Sequence, residues 1–139
     1  MPKFVYDGKR FMKLKHFSLT YGEQVLKALA DESRLRILNL VIRNKEMCTS
    51  DLEQVLDFTQ TKTSRHLSYL RSAGLVTPRK RDQWVFYALK EEASELTIQI
   101  FSYMERDATL TKDQEIYQIL FSNRELAANK LIARRWSPS

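Results

Sequence analysis

Between Ser50 and Leu89 the chain carries local signals in an order that few folds accommodate. Ser50-Asp51-Leu52-Glu53 has the S-x-x-E spacing of a capping box, in which serine and glutamate satisfy each other's orphan backbone amides. A short helix follows, carrying Leu52, Val55 and Leu56, and Asp57-Phe58-Thr59-Gln60 reads as a tight turn. The next helix runs from about Thr61 to Ala73, with Thr63, Leu67, Leu70 and Ala73 on one face at helical spacing. Gly74 supplies the left-handed residue that ends such a helix. Two β-prone runs, Leu75–Arg79 and Trp84–Leu89, then flank Lys80-Arg81-Asp82-Gln83, which predicts a β-hairpin with a charged tip. Helix, turn, helix, glycine and hairpin in succession are the layout of a winged helix-turn-helix.

The flanking segments are helical in pattern. Tyr21, Val25, Leu26 and Leu29 recur at three- and four-residue spacing, predicting a helix from about Phe17 to Ala30. Asp31 is a good N-cap for a second helix bearing Leu35, Leu38, Val41 and Ile42. After the hairpin a helix is expected over about Lys90 to Arg106. Thr111-x-x-Gln114 then opens a last one reaching roughly Arg134, with Ile116, Leu120, Ala127 and Leu131 on one face. With only three Gly and three Pro in 139 residues, the expected class is mostly α with a small β-hairpin. The expected organisation is a basic N-terminal arm (1–16, with Phe4, Tyr6 and Phe11), a winged domain with dimerisation helices (17–106), and a C-terminal helical extension (107–139).

Charge is distributed unevenly. Residues 58–90 hold seven basic side chains against one acid, Asp82, whereas 91–125 hold eight acids against three bases. A basic block of this kind suits a polyanion. On the Thr61–Ala73 helix, the positions left outward are Thr61, Lys62, Arg65, Ser68, Tyr69 and Ser72, a hydrogen-bonding face without an acid. A major groove admits one α-helix, and a short preceding helix braces it against the backbone. The candidate contacts to double-stranded DNA are therefore Thr61, Lys62, Ser64, Arg65, Ser68 and Tyr69 on the helix, with Arg79, Lys80, Arg81 and Gln83 at the hairpin tip. Lys62 and Arg65 suit either guanine edges or phosphates.

Residues 26–89 resemble the ArsR-type repressor family, named after the arsenical-resistance repressor. The resemblance lies in Ala28-Leu29-Ala30-Asp31 with Arg34-Leu35-Arg36-Ile37-Leu38, in Ser64-Arg65-His66-Leu67-x-x-Leu70, in Ala73-Gly74-Leu75-Val76, and in the wing Arg81–Tyr87. It implies a homodimer formed largely by the first and fifth helices, binding an inverted-repeat operator as a transcriptional repressor. Two-fold symmetry sets the recognition helices about 34 Å apart. The interface residues expected are Tyr21, Val25, Leu96, Ile100, Phe101 and Met104. A pocket for a small apolar effector between the closing helices is the alternative use of their apolar surface, and no effector is named by the sequence.

Many family members release DNA on binding metal through a thiolate box resembling E-L-C-V-C-D-L. Here the segment reads Glu46-Met47-Cys48-Thr49-Ser50-Asp51-Leu52, so only Cys48 of the two thiolates is present. One thiolate does not hold a soft ion that needs three or four ligands. No histidine lies between residues 67 and 139 for the other member type; His66 suits packing, hydrogen bonding or a phosphate contact, and His16 with Cys48 across a dimer is the remaining pairing. The expectation is no metal and no cofactor. Cys48 reads as a small buried hydrophobe, with redox chemistry the other use of a thiol near a helix start. A lone cysteine also excludes an internal disulfide and fits a reducing cytoplasm. No apolar run approaches the ~18 residues that span a bilayer, and the N-terminal stretch lacks the core of a signal peptide. With no glycine-rich phosphate loop, paired histidines or activated nucleophile, an enzyme is not expected. The competing class is a protein-interaction module on a winged scaffold.

Overall fold

The computed structural model describes residues 17–136, with side chains described through Leu126. The arm at 1–16, with His16, lies outside the described residues, and the side chains of Ala127 and Leu131 lie outside the described ones. Among the described residues six helices and three strands run in the order α1 (Leu19–Leu29), α2 (Glu32–Asn44), β1 (Glu46–Cys48), α3 (Thr49–Leu56), α4 (Gln60–Ser72), β2 (Val76–Arg81), β3 (Trp84–Leu89), α5 (Glu91–Ser102) and α6 (Ala108–Trp136).

Side-chain caps account for several helix starts. Ser18 accepts from the Tyr21 amide, Asp31 from the Arg34 amide, and Thr59 from the Lys62 amide, each satisfying an N–H the helix itself cannot. The box at Ser50–Glu53 is not used: α3 begins at Thr49, Cys48 occupies the cap position, and no side chain caps there. The reason is β1, three residues that pair antiparallel with β3 and lead straight into α3. Strand pairing thereby fixes the entry geometry that a capping box would otherwise set. The last helix likewise starts earlier than its Thr111-x-x-Gln114 pattern implies, because the Asp107 carboxylate accepts from the Leu110 amide.

The sheet has the order β1-β3-β2, all antiparallel. The wing strands run to Arg81 and from Trp84, so the tip is only Asp82-Gln83, with Asp82 at φ 55°. Pro78 sits in β2, an edge strand, where its missing N–H costs no central ladder bond. Gly74 has φ 79°, and the Leu75 amide reaches back to the Leu70 carbonyl at 3.0 Å, the long bond of a Schellman cap. The Tyr21 hydroxyl donates to the Gly74 carbonyl, and a Cβ at Gly74 would stand 3.2 Å from the Tyr21 hydroxyl oxygen.

Helix α2 is the axis of the core. Ile37, Leu38, Leu40 and Val41 are all fully buried, so burial extends well beyond the single face its apolar spacing predicts. Leu38 and Val41 share their core with Val25, Ala28, Leu52, Leu67 and Leu70 of α1, α3 and α4. On another side α6 packs along α2 and α3, contributing Leu110 to the same core. Much of that contact is polar. Arg36 forms a two-bond pair with the buried Asp113, Asn39 donates to the Leu110 carbonyl, and Asn44 and Gln114 exchange amide hydrogen bonds at 2.8 Å. Arg124 closes the far end with two bonds to the buried Asp51 of α3. The last helix is thus tied to α2 and α3 from Leu110 to Arg124.

Candidate nucleic-acid interface

Thr63, His66, Leu67 and Leu70 are the buried row of α4, which turns Thr61, Ser64, Arg65, Ser68, Tyr69 and Ser72 to the surface. No acidic residue occurs anywhere on the helix. Lys62 is half-buried, with its ammonium 4.0 Å above the Phe58 ring. That contact holds the cation near the start of α4, where the turn residue Phe58 supplies a platform. Tyr69 is 44% exposed and lies under the Arg34 guanidinium at 4.0 Å.

The wing presents Arg79, Lys80, Asp82, Gln83 and Trp84 to solvent. Arg81 is also exposed, but it is engaged by its own chain, paired with Glu46 of β1 and stacked 4.2 Å over Phe86. Sequence reasoning did not connect Arg81 to Glu46, because a strand of three residues carries no periodic signal.

Of the residues expected between chains, Val25 and Phe101 are 0% and 6% exposed within a single chain, and so are core residues instead. Both are drawn inward because α1 and α5 each lay a face on the shared core. Tyr21, Leu96, Ile100 and Met104 are half-buried against it. The apolar side chains left open on α1 are Leu19 and Leu26; just past and on α5 they are Tyr103 and Ile98.

His66 is buried, with Nδ1 3.5 Å from an Arg34 nitrogen and 4.0 Å from an Asp31 oxygen. Burial pushes its pKa below the ordinary value; the Asp31 carboxylate opposes this, while Arg34, Arg65 and Lys62 add to it. A histidine less basic when folded makes the unfolded chain the better proton binder at low pH. Its contribution to stability is therefore complete above the unfolded value near 6.5 and declines as pH falls through and below it. Urea unfolding at pH 7.5 and 5.5 should show wild type losing more stability than His66→Gln, by at most about 1.4 kcal/mol in all, because only the one pH unit below 6.5 contributes. Equal losses in both proteins would remove His66 from the acid response.

Cys48 is buried, its sulfur 3.3 Å from the Ser50 hydroxyl, which stands at the position of the second thiolate. Among the described residues no three His, Cys, Asp or Glu side chains converge as a metal site, and no helix is long and apolar enough to cross a membrane.

The family model for bacterial regulatory proteins of the arsR family matches residues 31–77, which span α2 to the start of the wing. The arsenical resistance operon repressor of Escherichia coli is 48% identical over 66 residues, covering 48% of this chain and 56% of that one. The chain spans little more than half the length of such arsenic-resistance relatives. The transcriptional activator HlyU of Vibrio cholerae is 40% identical over 76 residues, 55% of this chain and 69% of the relative. The solved structure of HlyU matches with a TM-score of 0.56 and 34% identity over 60% of this chain and 91% of that one. The homodimeric winged helix-turn-helix DNA-binding domain Mb0332 of Mycobacterium bovis matches with a TM-score of 0.57 and 26% identity, over 65% of this chain and 83% of that one. Fold, helix-turn-helix sequence and coverage of these relatives agree: the chain belongs to the arsR family of bacterial regulatory proteins.

Proposed function

We propose that the chain is a homodimeric transcriptional repressor that binds an inverted-repeat operator in duplex DNA. The observation that carries this reading is the acid-free outward face of α4, flanked by the exposed cations of the wing. In it, α4 enters the major groove with Thr61, Lys62, Ser64, Arg65, Ser68 and Tyr69, while Arg79, Lys80 and Gln83 meet the adjacent backbone or minor groove. Arg81 contributes by releasing Glu46 to engage a phosphate. Repression follows from occupancy of the operator. Cytoplasmic residence belongs to the same reading, as do the absence of catalysis and of a metal trigger. The dimer joins α1 and α5 of two chains through Leu19, Leu26, Ile98 and Tyr103, with Tyr21, Leu96, Ile100 and Met104 packed behind them.

Fluorescence anisotropy on the DNA upstream of the protein's own gene, across salt concentrations, tests the reading. Arg65→Ala should cost about 1–3 kcal/mol and alter base preference if the contact is to a base edge. Arg81→Ala should weaken all sequences alike and flatten the salt dependence. A wild-type protein that binds no duplex below micromolar concentration at low salt would refute it. Capture of a protein partner together with indifference to Arg65→Ala would favour an interaction module.

A further inference from the structure

A groove of about 360 Å³ runs between α1 and the outward face of α4, lined by Gln24 and Lys27 on one side and by Arg65, Ser68, Tyr69 and Ser72 on the other. Its walls carry two cations, two serine hydroxyls, a phenol and an amide, and no carboxylate. That donor set is suited to a tetrahedral oxyanion. We propose that this groove seats a phosphate of the DNA backbone, so that the protein–DNA contact extends from α4 onto Lys27 and Gln24 of α1. The inference rests on the DNA-binding reading and adds to it a second helix.

Two further observations support the assignment. Both sides of the groove are held by one guanidinium: Arg34 donates to the Ala28 carbonyl at 2.8 Å and the Lys27 carbonyl at 3.2 Å, and it stacks 4.0 Å over the Tyr69 ring. The backbone of Lys27 and the face of Tyr69 therefore keep their spacing without DNA, and the seat is formed in advance. Secondly, the Lys27 ammonium is 2.8 Å from the Glu23 carboxylate in a pair whose side chains are 65% and 62% exposed. An exposed pair of this kind is weak and salt-screened, so a phosphate displaces the carboxylate readily. Gln24 and Ser72 then supply neutral donors beside the two cations. A phosphate held here lies beside the outward face of α4 and would fix how far α4 advances along the groove.

Because a phosphate contact is independent of sequence, its test needs no operator. A fluorescein-labelled 30-bp duplex of arbitrary sequence is titrated with the full chain from 50 to 300 mM salt. Lys27→Gln should reduce the slope of log affinity against log salt by about 0.9 for each protomer bound. The same charge change at Lys112, outside the groove on α6, should leave the slope unaltered. Glu23→Gln should raise low-salt affinity in the wild-type background and lose that effect in Lys27→Gln. All three positions are exposed, so a thermal melt separates folding from binding. An unaltered slope in Lys27→Gln, with wild type binding normally, overturns this inference alone. Wild type that binds no duplex overturns the DNA-binding reading with it. Calorimetric titration with inorganic phosphate at constant ionic strength distinguishes the source of the anion. Saturable binding without DNA, lost in Lys27→Gln, would assign the groove to a free anion and refute the backbone seat.

Discussion

Replacing Arg36 by methionine should lower the folding stability by about 3–5 kcal/mol, the cost of stranding a buried charge by removing its partner. The Asp113 side chain is 3% exposed, and both of its oxygens accept from Arg36 at 2.9 Å. Water does not replace the guanidinium at a carboxylate so enclosed. The methionine retains most of the aliphatic packing of the arginine stem, so the loss reports the charge rather than a cavity. Arg36→Met with Asp113→Leu should recover much of the difference, since exchanging both partners of a buried pair for apolar groups is often close to neutral. Chemical denaturation of the single and double variants measures both numbers. A single-variant cost under about 1 kcal/mol would mean that solvent reaches Asp113, and that α6 is not fastened to α2 as the contacts imply. The effect should reach beyond α6, because the same helix also holds Asp51 of α3 through Arg124. Loosening α6 therefore removes a brace from the helix that precedes α4.

That polar seam was invisible to sequence reasoning, whereas the winged core was largely open to it. Thr63, Leu67, Leu70 and Ala73 lie inward because a helix packed on one side imposes a strict period, and Gly74 marks its end because few other residues tolerate φ 79°. The β1 strand had no such signature. Three residues are too few to alternate, and Glu46-Met47-Cys48 becomes a strand only because β3 pairs with it. The pairing moves the cap of α3 from Ser50 to Cys48, two residues ahead of its capping box, an example of tertiary context overriding a local signal. Asp51, Asn44, Asp113 and Gln114 look like ordinary solvated positions in a linear reading. Their partners lie 70 or more residues away, and only the docking of α6 brings them together. The candidate DNA face divides in the same way. The outward positions of α4 follow from its period, while the engagement of Arg81 by Glu46 and the nearness of Lys27 to Arg65 depend on how separate elements pack.

Leu26→Asp should convert the proposed dimer to a folded monomer and reduce affinity for a two-half-site duplex by about 10²–10⁴-fold, the gain lost when a second binding event is no longer intramolecular. Leu26 is 59% exposed and Leu19 89%, and with Phe17 they line an apolar groove of about 640 Å³ along α1. The other faces of α1 are largely committed: Val25, Ala28 and Leu29 to the core and Gln24 to the groove beside α4, while Lys27 borders both grooves and Glu23 edges the one along α1. An open apolar face on a helix so fully used elsewhere is the surface a second chain would cover. A carboxylate placed there must be desolvated on association, a cost an apolar contact does not return. The isolated chain tolerates the change because that side chain faces water, so the thermal transition of the monomer should persist. Leu26→Met, which preserves apolar contact, should remain dimeric. Sedimentation velocity gives the assembly state, and anisotropy on duplexes with one or two half-sites gives the affinities. A Leu26→Asp protein that stays dimeric would move the interface away from α1. One that is monomeric yet binds the two-half-site duplex as tightly as wild type would show that each α4 acts alone, and the inverted-repeat reading would fall with it.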